Sequence, residues 1–271
     1  MTRPALEDLI ALALAAGREI MRVRAEGFDA QTKGDGSIVT IADQRAEYII
    51  EKGLAELAPG VPMLGEEATA AGRIPECGAR FYCVDALDGT RGFAKGGDEF
   101  TVNIALVEDA VPVVGVVYAP ATGELYAGEP GRALRARYDP QTLAARHAPA
   151  PIHAQPAAPP RWRVVGSDFS GRNERTQKFT TVLDAVISHA SSSIKFCRVA
   201  DGSADLYPRF GDVSEWDAAA GHAVLRAAGG DIMGLDGAPV RYGRAKVAFI
   251  IPGFIAYANA DAKAAALKAT R

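Results

Sequence analysis

The sequence predicts a mixed α/β protein in two halves, the first α+β and the second α/β. Three observations carry that reading. Two helical stripes near the N-terminus precede several apolar runs, two of them joined by a hairpin-length gap, the pattern of helices followed by an antiparallel sheet. Beyond about residue 162 the signals alternate between strand and helix instead. Between the two lies Ala148 to Arg161, with Pro149, Pro151, Pro156, Pro159 and Pro160 and little to bury, which reads as a linker or surface crossing. The boundary is placed at residue 155, giving a first domain over 1–155 and a second over 156–271.

The elements follow in order. Leu6, Leu9, Ile10, Ala13 and Gly17 mark the inner stripe of a first helix. Lys33–Ser37 is a turn. A second helix is predicted over Ile41 to Leu57, capped by Thr40, with Ile49, Ile50, Leu54 and Leu57 inward, and Pro59, Gly60 and Pro62 end it. Strands are expected at Arg80–Val84, Phe100–Val107 and Val113–Tyr118, the last two joined by a hairpin around Glu108–Ala110. A short fourth is expected at Glu124–Ala127. In the second half, strands are expected at Arg163–Gly166 and Val247–Ile251. Helices are expected over Asn173–Ser188, Ser192–Ala204 and Trp216–Ala228, the last closed by Gly229-Gly230.

Composition excludes several classes of function. The 271 residues are 48% hydrophobic and 23% charged, ordinary for a globular protein with ample core. A net charge of -3 leaves no electrostatic footprint for nucleic acid or an anionic membrane. The apolar run Leu9–Ala16 is too short to span a bilayer, and Glu7 and Asp8 stand where a signal peptide carries positive charge. Cys77, Cys83 and Cys197 are odd in number and form no CxxC pair, so buried free thiols in a reducing cytoplasm are expected. His147, His153, His189 and His222 lack metal-ligand spacing, which argues against zinc.

Chemistry concentrates in Phe81–Thr90, Phe-Tyr-Cys-Val-Asp-Ala-Leu-Asp-Gly-Thr. An apolar strand there delivers Asp85 and Asp88 to a turn made by Gly89. Two acids so close repel each other, and burying them unpaired is expensive. A divalent cation resolves the conflict, and magnesium, a hard ion, prefers such oxygen ligands. The Gly89-Thr90 turn leads into a helix start, where backbone N–H groups can receive a phosphate. Glu66 and Glu67 follow a short apolar run, Asp217 opens an alanine-rich helix, and Asp43 lies in the first turn of the second helix. Each of these has an ordinary structural explanation as a loop acid or a helix cap; their combination points to a site.

That combination resembles a family. Gly65-Glu66-Glu67, Asp85-Ala86-Leu87-Asp88-Gly89-Thr90 and Trp216-Asp217-Ala218-Ala219-Ala220-Gly221 are similar, in order and separation, to the signatures of the inositol monophosphatase superfamily of lithium-sensitive phosphatases. The resemblance runs from about Lys33 to Tyr257. Phe93–Leu106, Ser192–Cys197 and Leu206–Phe210 look like its 3'(2'),5'-bisphosphate nucleotidase branch.

The resemblance implies a layered αβαβα sandwich with the active site between the two halves. It implies two or three Mg2+ ions: one held by Glu66, Asp85 and the Leu87 carbonyl, a second by Asp85, Asp88 and Asp217, and a third by Glu66 with waters. Asp43 and the Thr90 hydroxyl would orient and deprotonate the attacking water, and Glu66 shares in catalysis. Gly89 and Thr90 would receive phosphate, and Ser192, Lys195 and Arg209 would face the nucleotide and its second phosphate. One departure stands out. The branch usually carries Ser-x-Ser-His after the first strand of its second domain, and here the run is Val165-Gly166-Ser167-Asp168-Phe169-Ser170, without the histidine.

The expected function is therefore magnesium-dependent hydrolysis of a phosphate monoester on a small soluble metabolite, with adenosine 3',5'-bisphosphate converted to AMP. The rivals are hydrolysis of inositol monophosphate, fructose 1,6-bisphosphate or histidinol phosphate, and a non-catalytic phosphometabolite binder. No nucleic-acid or membrane partner is expected. Homodimers are common in the superfamily, which allows one here.

Overall fold

The structure is a computed structural model, and it describes residues 3–34, 36, 38–154, 161–167 and 173–270. Helix α1 (Leu6–Glu26) buries Leu6, Leu9, Ile10, Ala13, Ala16, Gly17, Ile20 and Val23, the predicted stripe extended by two turns. A hairpin of β1 (Ala30–Thr32) and β2 (Ile38–Thr40) leads into α2 (Ile41–Leu57). Thr40 caps α2 as expected, its hydroxyl accepting from Ala42 N–H at 3.1 Å. The inward face differs from the prediction at its end. Ile50 and Leu54 are buried, but Leu57 is 38% exposed and Ala58 takes the buried position. Leu57 keeps the helical spacing but is the last residue of α2, and Ala58 has already left helical geometry at φ -142°, so the turn and not the helical period sets which of them is buried.

The large sheet runs in the order β3-β4-β5-β6-β7-β8-β9: β3 (Met63–Gly65), β4 (Arg80–Asp88), β5 (Thr101–Glu108), β6 (Val111–Ala119), β7 (Glu124–Glu129), β8 (Arg132–Arg137) and β9 (Ala150–Pro151). Only the β3–β4 pair is parallel. Asp109 and Ala110 turn the β5–β6 hairpin with φ of 50° and 62°, the double left-handed geometry that matches strand twist. Two short helices interrupt the strands, α3 (Glu66–Ala70) after β3 and α4 (Thr90–Ala94) after β4. The proline-rich stretch contributes edge strand β9 before leaving the described residues at 155–160, where the predicted boundary lies.

The second sheet has the order β11-β10-β12-β16-β14, from β10 (Arg163–Gly166), β11 (Val186–His189), β12 (Leu206–Arg209), β14 (Asp231–Gly234) and β16 (Phe254–Tyr257). A small ladder joins β13 (Val213–Ser214) to β15 (Ile250–Ile251). Helices α5 (Glu174–Val182), α6 (Ile194–Ala200), α7 (Glu215–Ala227) and α8 (Ala260–Ala269) complete the chain.

Several second-half predictions are corrected. The helix expected over Asn173–Ser188 stops at Val182. Asp184 turns with φ 46°, and β-branched Val186 and Ile187 pair with β10 instead. The helix expected over Ser192–Ala204 is shorter at both ends. Val247–Ile251 is not one strand: Ala245–Val247 is a turn of 3-10 helix, Ala248 and Phe249 have φ of 52° and 59°, and only Ile250 and Ile251 are extended.

The buried clusters define five layers. Helices α1 and α2 cover one face of the large sheet through Tyr82, Val84, Ile104, Val116 and Tyr118. Its other face (Phe81, Cys83, Ala105, Val117) packs on α6 and α7, and these on Tyr207, Phe254 and Ala256 of the second sheet. Val164, Leu206 and Ile255 on that sheet's far face meet Phe179 of α5 and Ala262 and Ala266 of α8. This is the αβαβα sandwich, with the C-terminal ends of β3 and β4 and the start of α7 converging at one edge. The three cysteines are buried and free.

Candidate active site

Five carboxylates arrive at this edge, each fixed by the element that carries it. Asp85 and Asp88 close β4, and Asp85 Oδ1 accepts the Leu87 N–H at 2.9 Å. Glu66 opens α3. Asp217 is the third residue of α7, where Oδ2 accepts the Ser214 N–H at 3.0 Å. Asp43 holds the same place in α2: its Oδ2 accepts Thr40 N–H at 2.8 Å and Thr40 Oγ1–H at 2.7 Å. Its other oxygen accepts from Thr90 Oγ1 at 2.8 Å, and that hydroxyl also lies 3.0 Å from the Leu87 carbonyl. Capping and site-building are therefore not alternatives here. One oxygen of Asp43 and of Asp217 caps a helix, leaving the other for the site.

One oxygen each of Glu66, Asp85 and Asp217 lies within 4.8 Å of the others. Burial pushes Asp85 well above the usual carboxylate range, and Glu66, Asp88 and Asp217 repel its charge further. Asp217 is pushed up to about 8 by burial, then by Asp88 and Glu66. Glu66 is raised by burial against the pull of Lys33, and Asp43 and Asp88 are raised by burial. Buried like charges with oxygen donors only are the donor set of a hard divalent cation. Lys33 offsets part of this charge, with Nζ at 3.0 Å from Glu66 and 2.6 Å from Glu67.

Beside the acids opens a cavity of about 410 Å³ lined by Asp88, Gly89, Arg91, Ser192, Lys195, Tyr207, Arg209 and Asp217. Gly89 has φ 99°, and a Cβ there would lie 2.7 Å from Ser192 Oγ and 3.0 Å from the Glu99 carbonyl. Ser192 itself takes a left-handed φ of 51°, and its hydroxyl donates to the Asp88 carbonyl at 3.1 Å. Lys195 is 6% exposed, donates to the Ser192 carbonyl at 2.7 Å and lies 5.3 Å from the Tyr207 ring centre. Burial lowers it to about 8 against the attraction of Asp88. Arg209 donates to the Asp212 carbonyl at 3.1 Å.

The sequence-predicted residues meet at this edge: Glu66, Asp85 and Asp217 draw together, Asp43 and the Leu87 carbonyl meet at Thr90, and Asp88, Gly89, Ser192, Lys195, Arg209 and Asp217 line the cavity, with Ser192 turned to the backbone of Asp88. Arg91 and Tyr207 line the cavity as well, and Lys33 pairs with Glu66 and Glu67 behind it; none of the three was singled out beforehand. Arg91 had a signal, sitting directly after Gly89-Thr90, whereas Lys33 sits in a turn whose destination the sequence does not reveal. Ser167 borders the cavity, and Asp168–Ser170 lie outside the described residues.

A five-layer sandwich with buried carboxylates at the edge between its sheets defines a metal-dependent phosphatase. The chain belongs to the inositol monophosphatase family, whose sequence model matches residues 2–269. It is 38% identical to the 3'(2'),5'-bisphosphate nucleotidase CysQ of Escherichia coli strain K12, over 92% of this chain and 98% of that protein. A histidinol-phosphatase of Mycobacterium tuberculosis is 34% identical, over 89% of this chain and 92% of that protein. Among solved structures, CysQ from Bacteroides thetaiotaomicron superposes with a TM-score of 0.74 at 33% identity, covering 93% of this chain and 96% of that one. No helix among the described residues is long and apolar enough to cross a membrane.

Proposed function

We propose that this phosphatase removes the 3'-phosphate of adenosine 3',5'-bisphosphate, giving AMP, with magnesium held by Glu66, Asp85, the Leu87 carbonyl, Asp88 and Asp217. The observation that carries the reading is the pairing of the carboxylate cluster with a cavity bearing Lys195, Arg209 and Arg91, enough positive charge for a second phosphate. Similarity to CysQ-type nucleotidases at 38% identity supports the same substrate.

Magnesium, when bound, supplies the Lewis-acid charge that activates water and offsets the charge growing on the leaving oxygen. The chain's own residues do the rest. Thr90 Oγ1 accepts a hydrogen bond from the attacking water and aims its oxygen at phosphorus. As the new O–P bond forms and the ester P–O bond breaks, the water's proton passes to Thr90 Oγ1 and the Thr90 proton to Asp43 Oδ1. The departing ribose oxygen takes a proton from solvent water to become the 3'-hydroxyl of AMP, and Asp43 later returns its proton to solvent. Asp43 suits this role because Thr40 holds its other oxygen and burial raises its basicity. Lys195 and Arg209 neutralise the phosphate that is not cut. Gly89, lacking a side chain, lets the phosphoryl group approach the Gly89-Thr90 backbone.

The purified protein with saturating magnesium should release phosphate from adenosine 3',5'-bisphosphate with a higher kcat/KM than from inositol 1-phosphate or fructose 1,6-bisphosphate. No release from the nucleotide would refute the substrate assignment. The Mycobacterium tuberculosis relative makes histidinol phosphate a necessary fourth member of the panel. We further place the boundary between two structural units near residue 155 and the enzyme in the cytoplasm, as its free buried thiols suit.

A further inference from the structure

Helix α3 has only five residues, yet it carries Glu66 into the carboxylate cluster. So short a helix is not stable by itself. Its N-cap position is Gly65, in extended geometry at φ -114° and ψ 154°, with no side chain to accept from the free N–H groups of the first turn. Glu47 supplies the missing acceptor from another element. Its Oε2 accepts the Glu67 N–H at 2.8 Å and its Oε1 the Ala68 N–H at 2.7 Å. Those are the amides an N-cap side chain normally serves.

The fit is reciprocal. A Cβ at residue 65 would lie 2.9 Å from the carboxyl atoms of Glu47, so the glutamate fills the place a capping side chain would take. Glu47 sits four residues after Asp43 on the same face of α2, and the two are 2% and 3% exposed. A buried carboxylate is costly to retain, and an apolar residue would fill the space more cheaply while leaving two amides unpaired. Glu67 cannot share the task, because its carboxylate is engaged by Lys33.

We infer that Glu47 is a positioning residue for the metal site: capping α3 in place of Gly65, it fixes the direction in which Glu66 presents its oxygen. Through Asp43 and Glu47, α2 then organises both the water-activating pair and one side of the cation site. The inference rests on the reading of Glu66 as a magnesium ligand.

The test uses the full chain and three variants, Glu47→Gln, Glu47→Ala and Glu47→Ala with Gly65→Ser. The first readout is the magnesium concentration at the midpoint of the metal-induced rise in Tm, without substrate. The second is the magnesium concentration for half-maximal phosphate release. Glu47→Gln keeps one acceptor and should raise both midpoints about tenfold, and Glu47→Ala by up to about 100-fold, the usual range for groups that orient a ligand. Turnover at saturating magnesium should stay within a few-fold of the parent. The double variant should recover the midpoint, because losing Glu47 clears space for a serine whose hydroxyl caps the helix directly. Unchanged midpoints in both single variants, with only a lower metal-free Tm, would reduce Glu47 to a core residue and overturn the inference. So would a lost midpoint that the serine does not restore. A parent whose Tm ignores magnesium would instead bring down the metal reading, and this inference with it.

Discussion

The two walls of the cleft are built differently. On the acidic wall every carboxylate sits at a strand end or helix start, and backbone amides fix the direction of three: Leu87 N–H for Asp85, Ser214 N–H for Asp217, Thr40 N–H for Asp43. On the basic wall Lys195 and Arg209 extend long side chains whose present partners are backbone carbonyls. The rigid wall stores electrostatic conflict and can hold a cation with little rearrangement. The basic wall is held by bonds to carbonyls, which an incoming anion can replace. Chemistry needs the first kind of construction, and selection among phosphate esters can be served by the second.

The largest effect expected is on the rigid wall. Asp85→Asn should cut turnover by about 10³-fold or more, since it removes a charge central to the cluster. It should also raise the Tm of the metal-free protein, because it relieves the repulsion that holds Asp85 far above the usual carboxylate range. A fall in both quantities would mean that the cluster is a structural network rather than a stored conflict. Thr90→Ala comes next: turnover should drop about 10²- to 10⁴-fold with KM nearly unchanged, read by steady-state kinetics at saturating magnesium.

On the basic wall the losses should be smaller and selective. Lys195→Met should reduce kcat/KM for the bisphosphate about 10- to 100-fold and leave inositol 1-phosphate within a few-fold. Equal loss on both substrates would make Lys195 a general electrostatic element of the chemistry and break the division between walls.

The smallest effect lies away from both walls and serves as a control. On α7, buried His222 bonds Asp231 at 2.7 Å and Tyr242 at 3.0 Å. Burial holds its pKa below the ordinary 6.5, against the pull of Asp231. The unfolded chain therefore binds this proton more readily than the fold does. Stability is retained above about pH 6.5 and falls as pH drops below it, until His222 protonates in the fold as well. Asp231 is held low, so its own contribution is lost only at more acidic pH. Asp85 and Asp217, raised by burial, contribute the opposite slope in this window, so the His222 part is read as a difference: from pH 7.5 to 5.5 the Tm of the parent should lose ground to that of His222→Gln, with the magnesium midpoint unmoved.

Much of this organisation is legible in the sequence, and the exceptions follow from how local each interaction is. Strands β4 to β7 pair in chain order and are long, nearly continuous apolar runs, so those runs and the two-residue turn at Asp109-Ala110 suffice to find them. Strands β14 and β16 are four residues each, buried between helices on both sides, and pair out of chain order, so no periodicity marks them. Helix α8, Ala-Asp-Ala-Lys-Ala-Ala-Ala-Leu-Lys-Ala, escapes notice because alanine contrasts weakly with its surroundings on either face. At the site, Asp85-Ala86-Leu87-Asp88-Gly89-Thr90 is read at once because one strand and one turn build it. Asp43 and Asp217 look like ordinary caps because they are caps. Lys33 and Glu47 act across the fold on α3, and only tertiary structure brings them there.

The division between walls is tested most directly by one ratio: kcat/KM for adenosine 3',5'-bisphosphate over kcat/KM for inositol 1-phosphate, measured in the parent and in Arg209→Met. The account predicts a ratio well above one in the parent that collapses by about tenfold or more in the variant, with turnover of inositol 1-phosphate preserved. A parent ratio below one, or a ratio that survives the loss of Arg209, would contradict it.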